Sequence, residues 1–328
     1  MKTVILSASK PGAIAHAAQI INAGGLVAFP TETVYGLGGN ALDAASCAKI
    51  YAAKGRPSDN PLISHIADTD MLAQIVDDVP CVAKILMDEF WPGPLTIIFP
   101  AHGGGTVGVR MPVNEVALEL IRAAGVPIAA PSANVSGRPS PTSAAHVFDD
   151  LSGKVSLILD GGKCRHGLES TVIDCTISPP AILRPGGITK EMIEAKIGAV
   201  GLTTEAGSNA PKAPGMKYRH YAPKARLTVV VGDSDAVVAK ILDLAETMGN
   251  ATFAIMAPAQ NLSAYAGHTL LDMGSNDTEI AANLFDILRK CDEMGLDEVL
   301  VEGVDKFGLG AAIMNRLQKA ASHNVLEV

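Results

Sequence analysis

The sequence predicts an α/β protein in which an open, twisted, mixed sheet is followed by a second, smaller Rossmann-like α/β domain. Apolar runs rich in β-branched residues alternate with segments of helical periodicity along most of the chain. The residues are 48% hydrophobic but only 4% aromatic, a composition typical of closely packed strands and helices. A chain of 328 residues also exceeds what one small core usually organises, so two domains are expected.

In the first domain, short apolar runs bounded by Pro or Gly predict buried strands at residues 26–30, 61–66, 95–100, 126–131 and 156–160. Apolar residues at helical spacing predict helices at residues 43–53, 81–90 and 115–124. Two more short strands are expected near residues 171 and 181. The order of these elements favours a mixed sheet over a strictly alternating parallel one.

A polar, Pro- and Gly-rich segment after residue 198 has neither period and separates the two domains. We therefore predict a first domain at residues 1–204, a linker at 205–226 and a second domain at 227–328. Two aromatic residues and three potential cations follow one another in the linker: Lys217, Tyr218, Arg219, His220 and Tyr221. This composition differs from that of a passive spacer and favours a lid over the active site.

In the second domain, apolar runs predict strands at residues 227–232, 251–256, 268–273 and 298–303. Helical spacing predicts helices at residues 235–249, 278–294 and 310–321. This alternation indicates a small Rossmann-like domain of a size that can fold independently. No GxGxxG motif follows its first strand, so nothing here predicts a dinucleotide ligand.

Charge, cysteine usage and missing motifs exclude several classes of protein. The net charge of −8 and the pI of about 5.5 argue against a broad nucleic-acid-binding surface. Five scattered cysteines without a CxxC pair fit neither a disulfide framework nor a Cys-rich zinc site. The N-terminal apolar run is too short for a signal peptide and no segment is long enough to span a membrane, so we expect a cytoplasmic protein without a membrane partner. The motifs of P-loop nucleotide sites, zinc proteases, serine hydrolases and kinases are also missing.

Polar and cationic residues follow one predicted strand after another in the first domain. The motif PTETVYGLG, which includes Thr33, comes directly after the first strand. KGRPSDNPL places Lys54 and Arg56 two residues apart in a loop, where both can point at one polyphosphate, and Asn60 and His65 follow. For each motif alone, a plain turn or a solvated helix end favoured by the helix dipole is the alternative.

Two further motifs extend the set. In GGGTVGVRMP, Thr106 and Arg110 lie four residues apart and share one face if the segment is a strand; a flexible hairpin is the alternative. APSANVSGRPSPT begins at Ala130 and places Ser132 and Asn134 after a buried strand. Their hydroxyl and amide groups are suited to cradle a phosphate or a ribose.

Later hydroxyls and a last cation complete the pattern. Ser140 and Thr142 precede a helix predicted to begin near residue 142, and helix capping is the simpler explanation for these two. ESTV contributes Ser170 and LRPG contributes Arg184, both near later strands. Taken together, the cations and hydroxyls indicate one cavity that binds a polyanion.

As a set, these motifs resemble the YrdC-like family of threonylcarbamoyl-AMP synthases. The family's Lys-x-Arg and Ser-x-Asn combination corresponds here to Lys54, Arg56, Ser132 and Asn134. The linker PGMKYRHYAP and the tail GLGAAIMNRLQKAA resemble the long two-domain form of that enzyme. The resemblance covers almost the whole chain and implies an open twisted sheet around a cavity lined with positive charge.

The resemblance also implies a role for each polar residue of the motifs. Lys54 and Arg56 would be catalytic. The residues that would bind ATP are Arg56, Asn60, Thr106, Ser132, Asn134, Ser140, Arg184 and Tyr221. The residues that would hold L-threonine are Thr33, His65, Arg110, Ala130 through its backbone, and Ser170. Because Tyr221 belongs to the linker, the resemblance agrees with the lid interpretation.

The implied reaction is a nucleotidyl transfer that forms threonylcarbamoyl-AMP and pyrophosphate from ATP, L-threonine and bicarbonate or CO2. The neutral amine of threonine captures the carbon, and the resulting carbamate attacks the α-phosphorus of ATP. Orientation and charge stabilisation by Lys54, Arg56 and Arg184 would suffice, with Mg2+ on the ATP phosphates and no metal held by protein side chains. The product would pass to the tRNA threonylcarbamoyltransferase machinery and modify adenosine 37 of tRNA.

Two other functions compete with this one. A carbamoyltransferase of hydrogenase maturation uses a related domain to form a carbamoyl-adenylate, but it carries Cys-rich zinc motifs and additional domains that this sequence lacks. An RNA-binding module is the alternative from another class, and the acidic pI and missing aromatic RNA-reading motifs oppose it. Retention on RNA with a steep salt dependence would favour that alternative.

Overall fold

The computed structural model describes residues 2–203, 213–214 and 220–328 of the chain. Contacts between residues divide the chain into two compact units. Unit 1 comprises Met1–Ser136 and Ser140–Lys217, and unit 2 comprises Gly137–Pro139 and Tyr218–Val328. Most of the predicted linker, including Lys217, lies outside the described residues.

Unit 1 contains an 11-stranded sheet. Its strands are β1 (Val4–Ser7), β2 (Val27–Phe29), β3 (Gly36–Asn40), β4 (Ile63–His65), β5 (Leu95–Pro100), β6 (Thr106–Arg110), β7 (Ile128–Ala129), β8 (Leu157–Asp160), β9 (Thr171–Asp174), β10 (Ala181–Arg184) and β11 (Gly201–Leu202). They lie side by side in the order β1-β8-β2-β3-β7-β4-β6-β5-β9-β10-β11. Some neighbours are parallel, such as β1 with β8, and others are antiparallel, such as β2 with β3, so the predicted mixed sheet is confirmed.

The helices of unit 1, within the described residues, are α1 (Ala13–Asn22), α2 (Ala44–Lys54), α3 (Cys81–Phe90), α4 (Glu115–Ala124), α5 (Ala144–Leu151) and α6 (Lys190–Ile197). A 3-10 helix covers Thr69–Gln74. Local sequence sets both ends of α2: the Asp43 carboxylate accepts hydrogen bonds from two backbone N–H groups of the first turn, and Gly55 ends the helix with a φ of 58°. The last residue of this helix is Lys54, one of the predicted site residues.

Helices cover both faces of the sheet, because apolar side chains point to both sides of its strands. Along β2, Val27 and Phe29 lie in one buried apolar cluster with Ile21 of α1 and Leu120 of α4. Ala28, between them, lies in a second cluster on the opposite face. A strand buried on both faces shows a continuous apolar run, which is the pattern that the sequence displays at this position.

The main difference from the predicted elements of unit 1 concerns β3. The sequence interpretation predicts no strand within PTETVYGLG, with a plain turn as the alternative to a ligand site, whereas its last residues begin a strand. The Gly-rich composition of β3 is atypical of a strand and explains why no strand is predicted there. Packing requires a glycine at position 38, because a Cβ on Gly38 would lie 2.7 Å from the Phe29 ring and 2.8 Å from the side chain of Ile128. Helices α3 and α4, which are both amphipathic, have the predicted bounds, and Asn114 caps α4.

Unit 2 is built on a 5-stranded sheet in which all paired neighbours are parallel. Its strands are β12 (Arg226–Val231), β13 (Phe253–Ala257), β14 (Leu270–Asp272), β15 (Glu298–Glu302) and β16 (Val325–Glu327), in the order β14-β13-β15-β12-β16. Its helices are α7 (Ser234–Glu246), α8 (Asp277–Glu293) and α9 (Leu309–Ala320), and a 3-10 helix covers Ala259–Tyr265. The predicted smaller Rossmann-like unit is confirmed, with β16 as an additional edge strand. No helix in the described parts of the chain is long and apolar enough to cross a membrane.

Candidate active site

The loop between β2 and β3 carries three buried polar residues, Thr31, Glu32 and Thr33. The Thr31 hydroxyl donates to the carbonyl of Val34 at 2.7 Å and accepts from the backbone N–H groups of Thr33 and Val34. Because its single proton is used in this way, the Thr33 hydroxyl is the donor in the 2.8 Å bond between the two side chains. The loop is therefore rigid, and the lone pairs of the Thr33 hydroxyl remain available to a cation.

That cation is Arg110, the last residue of β6. Its Nη1 donates to Thr33 Oγ1 at 2.8 Å and its Nε donates to the carbonyl of Gly93 at 3.2 Å. Its Nη2 forms an ion pair with Glu32 Oε1, and the two side chains are only 4% and 5% exposed. Removing both charges from water offsets most of their mutual attraction, so this pair is poorly explained by stability alone.

His65 lies beside Arg110, because β4 and β6 are parallel neighbours and these two residues are paired in their register. Burial, together with the charge of Arg110, lowers the pKa of His65 to about 3, so its ring is neutral at physiological pH. Its Nδ1 has no hydrogen-bond partner among the described residues. Since buried polar atoms are normally paired, this nitrogen is available to a ligand.

Lys54 forms the second centre of the site. The sequence interpretation assigns it to a loop, which is wrong in this detail: it is the last residue of α2 and is 1% exposed. Its Nζ donates to the carbonyls of Ser132 and Asn134, the latter at 2.6 Å, and its own carbonyl accepts from the N–H of Ser136. Burial, reinforced by the charge of Arg56, lowers the pKa of the Lys54 ammonium well below its ordinary value, and Asp150 and Glu169 act in the opposite direction. Lys54 thus shapes the Ser-x-Asn loop.

Arg56 and Asn60 form a closed pair in the loop after α2. The Arg56 guanidinium donates to the backbone carbonyl of Asn60 at 3.1 Å, to its Oδ1 at 2.7 Å and to the carbonyl of Pro61 at 2.9 Å. These bonds turn the amide so that Nδ2 of Asn60 is buried and has no hydrogen-bond partner within the described ranges. Two unused N–H bonds therefore remain at Nδ2 for an acceptor such as a phosphate or ribose oxygen.

Ser170, directly before β9, meets Arg184, the last residue of the neighbouring strand β10. The guanidinium donates through two nitrogens to the Ser170 carbonyl, at 3.1 and 3.0 Å, and to its hydroxyl at 3.1 Å. The same hydroxyl lies 2.7 Å from that of Thr96 on β5. Next to Ser170, the buried carboxylate of Glu169 accepts a hydrogen bond from the Ser140 hydroxyl, which joins this group to the loop after β7.

Three further predicted site residues are Thr106, Ala130 and Tyr221. Thr106 is exposed at the first position of β6, about 13 Å along the strand from Arg110 at about 3.3 Å per residue. The backbone N–H of Ala130 is already used by the carbonyl of Ile63. Tyr221 belongs to unit 2, where the centroid of its ring lies 5.3 Å from that of Phe285. The backbone of Tyr221 has a φ of 64°.

The sequence interpretation missed two carboxylates, Glu32 and Glu169. Both lie inside the motifs that it singled out, each directly before a named hydroxyl residue, Thr33 or Ser170. An acidic residue is not expected in a cavity that binds a polyanion, so the sequence interpretation does not treat the position of these two glutamates within the motifs as a sign of function. Among the described residues, no group of three or more His, Cys, Asp or Glu side chains could hold a metal ion.

Buried guanidinium groups and hydroxyls lie beside carboxylates on an α/β sheet, together with an amide nitrogen that has no partner among the described residues. Such an arrangement is typical of an enzyme site for a small polar ligand. The family model described as Telomere recombination, for the Sua5, YciO and YrdC proteins, matches residues 19–186. The model described as Threonylcarbamoyl-AMP synthase, C-terminal domain, matches residues 188–322.

Curated proteins and a solved structure are similar along nearly the whole chain. The threonylcarbamoyl-AMP synthase of Pyrococcus abyssi is 48% identical over 95% of both chains. That of Bacillus subtilis is 45% identical over 95% of this chain and 94% of its own. The crystal structure of P. abyssi Sua5 complexed with L-threonine is similar with a TM-score of 0.94 and 46% identity, covering 99% of this chain and 100% of that one. This chain belongs to the threonylcarbamoyl-AMP synthase family, in its two-domain form.

Proposed function

We propose that this chain forms threonylcarbamoyl-AMP and pyrophosphate from MgATP, L-threonine and bicarbonate or CO2. The observation that carries the proposal is the 48% identity, over 95% of both chains, to a threonylcarbamoyl-AMP synthase. The product would be used to modify adenosine 37 of tRNA. We further propose that synthesis takes place in the cytoplasm and that a tRNA threonylcarbamoyltransferase receives the product.

For ATP, we assign the phosphates to Arg56 and Arg184 and the remaining polar contacts to Asn60, Ser132, Asn134 and Ser140. The unpaired Nδ2 of Asn60 supports this assignment most directly. Lys54 contributes charge and holds the loop that carries Ser132, since its ammonium already donates to two carbonyls of that loop. Mg2+ enters with the ATP phosphates as part of the substrate. We keep Thr106 as a peripheral ATP contact, at the exposed start of β6.

For L-threonine, we assign the α-carboxylate to Arg110 and the other contacts to Thr33, His65, Ser170 and the backbone at Ala130. The bond of 2.8 Å from Arg110 to Thr33 supports a common role for these two residues. A guanidinium can bind a carboxylate through two parallel hydrogen bonds, which fixes its orientation. The neutral ring of His65 adds a polar group without adding charge.

In the proposed reaction, the amine nitrogen of threonine bonds to the carbon of CO2 and gives a carbamate. A carbamate oxygen then attacks the α-phosphorus of ATP, and the bond from this phosphorus to the bridging oxygen of pyrophosphate breaks. No protein nucleophile is needed, because both reacting groups belong to substrates held in line. The buried cations stabilise the charge that moves onto the leaving pyrophosphate.

We also propose that residues 205–226 close over the site and exclude water from the labile mixed anhydride. The composition of the run that ends in His220 and Tyr221 supports this idea. Tyr221 would contact ATP as part of that closure. On this proposal the catalytic domain ends at residue 204 and the second domain begins at residue 227.

The test of the function is the substrate dependence of pyrophosphate release. Release from MgATP should require both L-threonine and bicarbonate, and omission of either should reduce it to background. Arg56→Ala should abolish release, whereas the matched change of an exposed arginine, Arg122→Ala, should not. Release that is independent of threonine, or carbamoyl phosphate acting in place of bicarbonate, would overturn the proposal.

A further inference from the structure

We propose that Glu32 accepts a proton from the α-ammonium group of bound L-threonine and so creates the nucleophile of the reaction. The inference rests on the proposed function, which requires the threonine nitrogen to attack CO2. An ammonium nitrogen has no lone pair, and an α-amino group at neutral pH is largely protonated. A base inside the site would convert bound threonine to the neutral, nucleophilic form without relying on the small neutral fraction in solution.

The described polar residues around Thr33 offer few bases. Arg110 stays protonated, as guanidinium groups in proteins do. His65 is a poor base, since burial and the charge of Arg110 lower its pKa to about 3. Hydroxyl groups accept protons only weakly, which excludes Thr33 itself. Glu32 remains as the carboxylate in direct contact with Arg110.

Glu32 and Arg110 together mirror the charges of an amino acid zwitterion. If the α-carboxylate of threonine binds Arg110, it competes with Glu32 for the same guanidinium. The α-ammonium, which is attached to the neighbouring carbon of the substrate, then lies within reach of the displaced Glu32 carboxylate. One ion pair within the protein is exchanged for two ion pairs with the substrate. Glu32 and Arg110 are already removed from water in the folded protein, so binding does not have to desolvate them.

The hydrogen bonding of Glu32 fits this role. Its Oε2 is buried and has no hydrogen-bond partner in the described part of the chain. A buried acceptor left without a donor is unfavourable, and an ammonium group would supply up to three donors. The backbone on both sides is held: the Glu32 carbonyl accepts from the N–H of His166 at 2.9 Å, and Thr31 bonds to Thr33 and Val34. The carboxylate is thus presented by a rigid loop.

The proton and electron balance of the step is complete. The ammonium N–H bond breaks, its electron pair stays on nitrogen, and the proton goes to a Glu32 oxygen. The nitrogen then bonds to the carbon of CO2, one C=O electron pair moves onto oxygen, and the second N–H proton goes to water. Glu32 releases its proton to water after the product leaves.

The decisive variant is Glu32→Gln, which keeps the shape and hydrogen-bonding ability of the side chain but cannot accept the proton. Pyrophosphate release at saturating threonine and MgATP should fall about 100-fold, the usual lower size of a general-base effect. Glu119→Gln, the same change on the exposed face of α4, should keep the rate of the unchanged protein. Recovery of the full rate at saturating threonine would overturn the proposal, because Glu32 would then serve binding alone.

The pH dependence separates a base from a merely structural carboxylate. Arg110 from β6 contacts Glu32, and His166, from the segment after β8, interacts with it electrostatically. His65 from β4 lies beside Arg110. The pKa values of both histidines are lowered, chiefly by burial, so neither changes charge between pH 7 and pH 9. In that range, a rise in pH increases the fraction of threonine that is neutral in solution and does not need a base. The rate of the Glu32→Gln protein, divided by that of the unchanged protein, should therefore rise several-fold. A ratio that does not change with pH would contradict the proposal.

A second variant covers the case in which Glu32→Gln fails to fold. Glu32→Asp keeps a carboxylate on a side chain one methylene shorter, and should retain a larger rate with the pH dependence of the unchanged protein. Inactivity of a folded Glu32→Asp protein at every pH from 7 to 9 would count against proton transfer. If the unchanged protein makes no threonylcarbamoyl-AMP, the proposed function fails, and the role of Glu32 fails with it.

Discussion

Both units bury a glutamate beside a strand, but the two carboxylates have different surroundings. In unit 2, Glu302 ends β15, and its two oxygens accept hydrogen bonds from the amide of Asn261 and, at 2.9 Å, from the hydroxyl of Tyr265. In unit 1, Glu32 contacts Arg110, and its second oxygen has no hydrogen-bond partner among the described residues. Both oxygens of the first carboxylate are hydrogen-bonded, whereas the second carboxylate keeps an oxygen that could accept a hydrogen bond from a ligand.

Glu302 thus represents buried polar groups that stabilise the fold, and Glu32 represents those that we propose to bind a substrate. A satisfied group should affect stability and leave catalysis unchanged. An unsatisfied pair should affect catalysis most strongly. The following variants test this separation in order of decreasing expected effect.

Arg110→Ala should have the largest effect. Threonine-dependent pyrophosphate release should fall about 1000-fold, since the guanidinium that we assign to the substrate carboxylate is lost. The free energy of unfolding should also fall by about 3 kcal/mol, because Glu32 is left as an unpaired buried charge. Steady-state kinetics and urea unfolding measure the two quantities. A rate within tenfold of the unchanged protein would contradict the assignment of Arg110.

His65 should make stability depend on pH. Its pKa in the folded protein is about 3, below the value of about 6.5 expected when unfolded, so its contribution is complete above pH 6.5 and is lost as the pH falls toward 3. Between pH 6 and pH 4 the loss should approach about 1.4 kcal/mol per pH unit. Urea unfolding of His65→Gln over the same range should show a shallower dependence, by about that amount. Equal slopes for the two proteins would show that His65 is protonated in the folded state.

Lys54→Met should have an intermediate effect. It leaves the carbonyls of Ser132 and Asn134 without their donor, so the free energy of unfolding should fall by about 2 kcal/mol. The loop should also lose its shape, and the affinity for ATP, measured by calorimetry, should fall about 30-fold. Lys84→Met, on the exposed face of α3, is the matched control. Unchanged ATP affinity in a folded Lys54→Met protein would remove Lys54 from the site.

Tyr265→Phe should have the smallest effect, and it concerns stability alone. The variant removes one hydrogen bond to Glu302 and should reduce the free energy of unfolding of unit 2 by about 1 kcal/mol. Pyrophosphate release should stay within twofold of the unchanged protein. A larger loss of activity would show that the buried polar group of unit 2 takes part in the reaction.

The sequence predicts best those elements whose signal is local. Helices α3 and α4 have apolar faces, and α4 has an Asn cap and a terminal Gly, so periodicity and end signals agree on their bounds. Strand β3 escapes prediction because Gly38 is required by close contacts with side chains of the two neighbouring strands, Phe29 of β2 and Ile128 of β7, and a local pattern does not reveal these contacts. The same reason applies to Lys54, whose carbonyl partners lie 78 and 80 residues further along the chain.

For the candidate site, the sequence identifies the cations and the hydroxyls but not the way they pair. Thr33 with Arg110, and Ser170 with Arg184, are brought together by the arrangement of the strands and of the loops beside them, which composition cannot reveal. Glu32 is the site residue that the sequence interpretation most clearly missed, because its role can be inferred only from its ion pair with Arg110. The order of strands in the mixed sheet decides these pairs, and no local pattern specifies that order.

The measurement that tests the central claim most directly is mass spectrometry of the product formed from MgATP, L-threonine and ¹³C-bicarbonate. We predict a threonylcarbamoyl-adenylate whose mass is raised by the labelled carbon and whose amount equals the pyrophosphate released. A product without the label, or pyrophosphate released without an adenylate of threonine, would contradict the account.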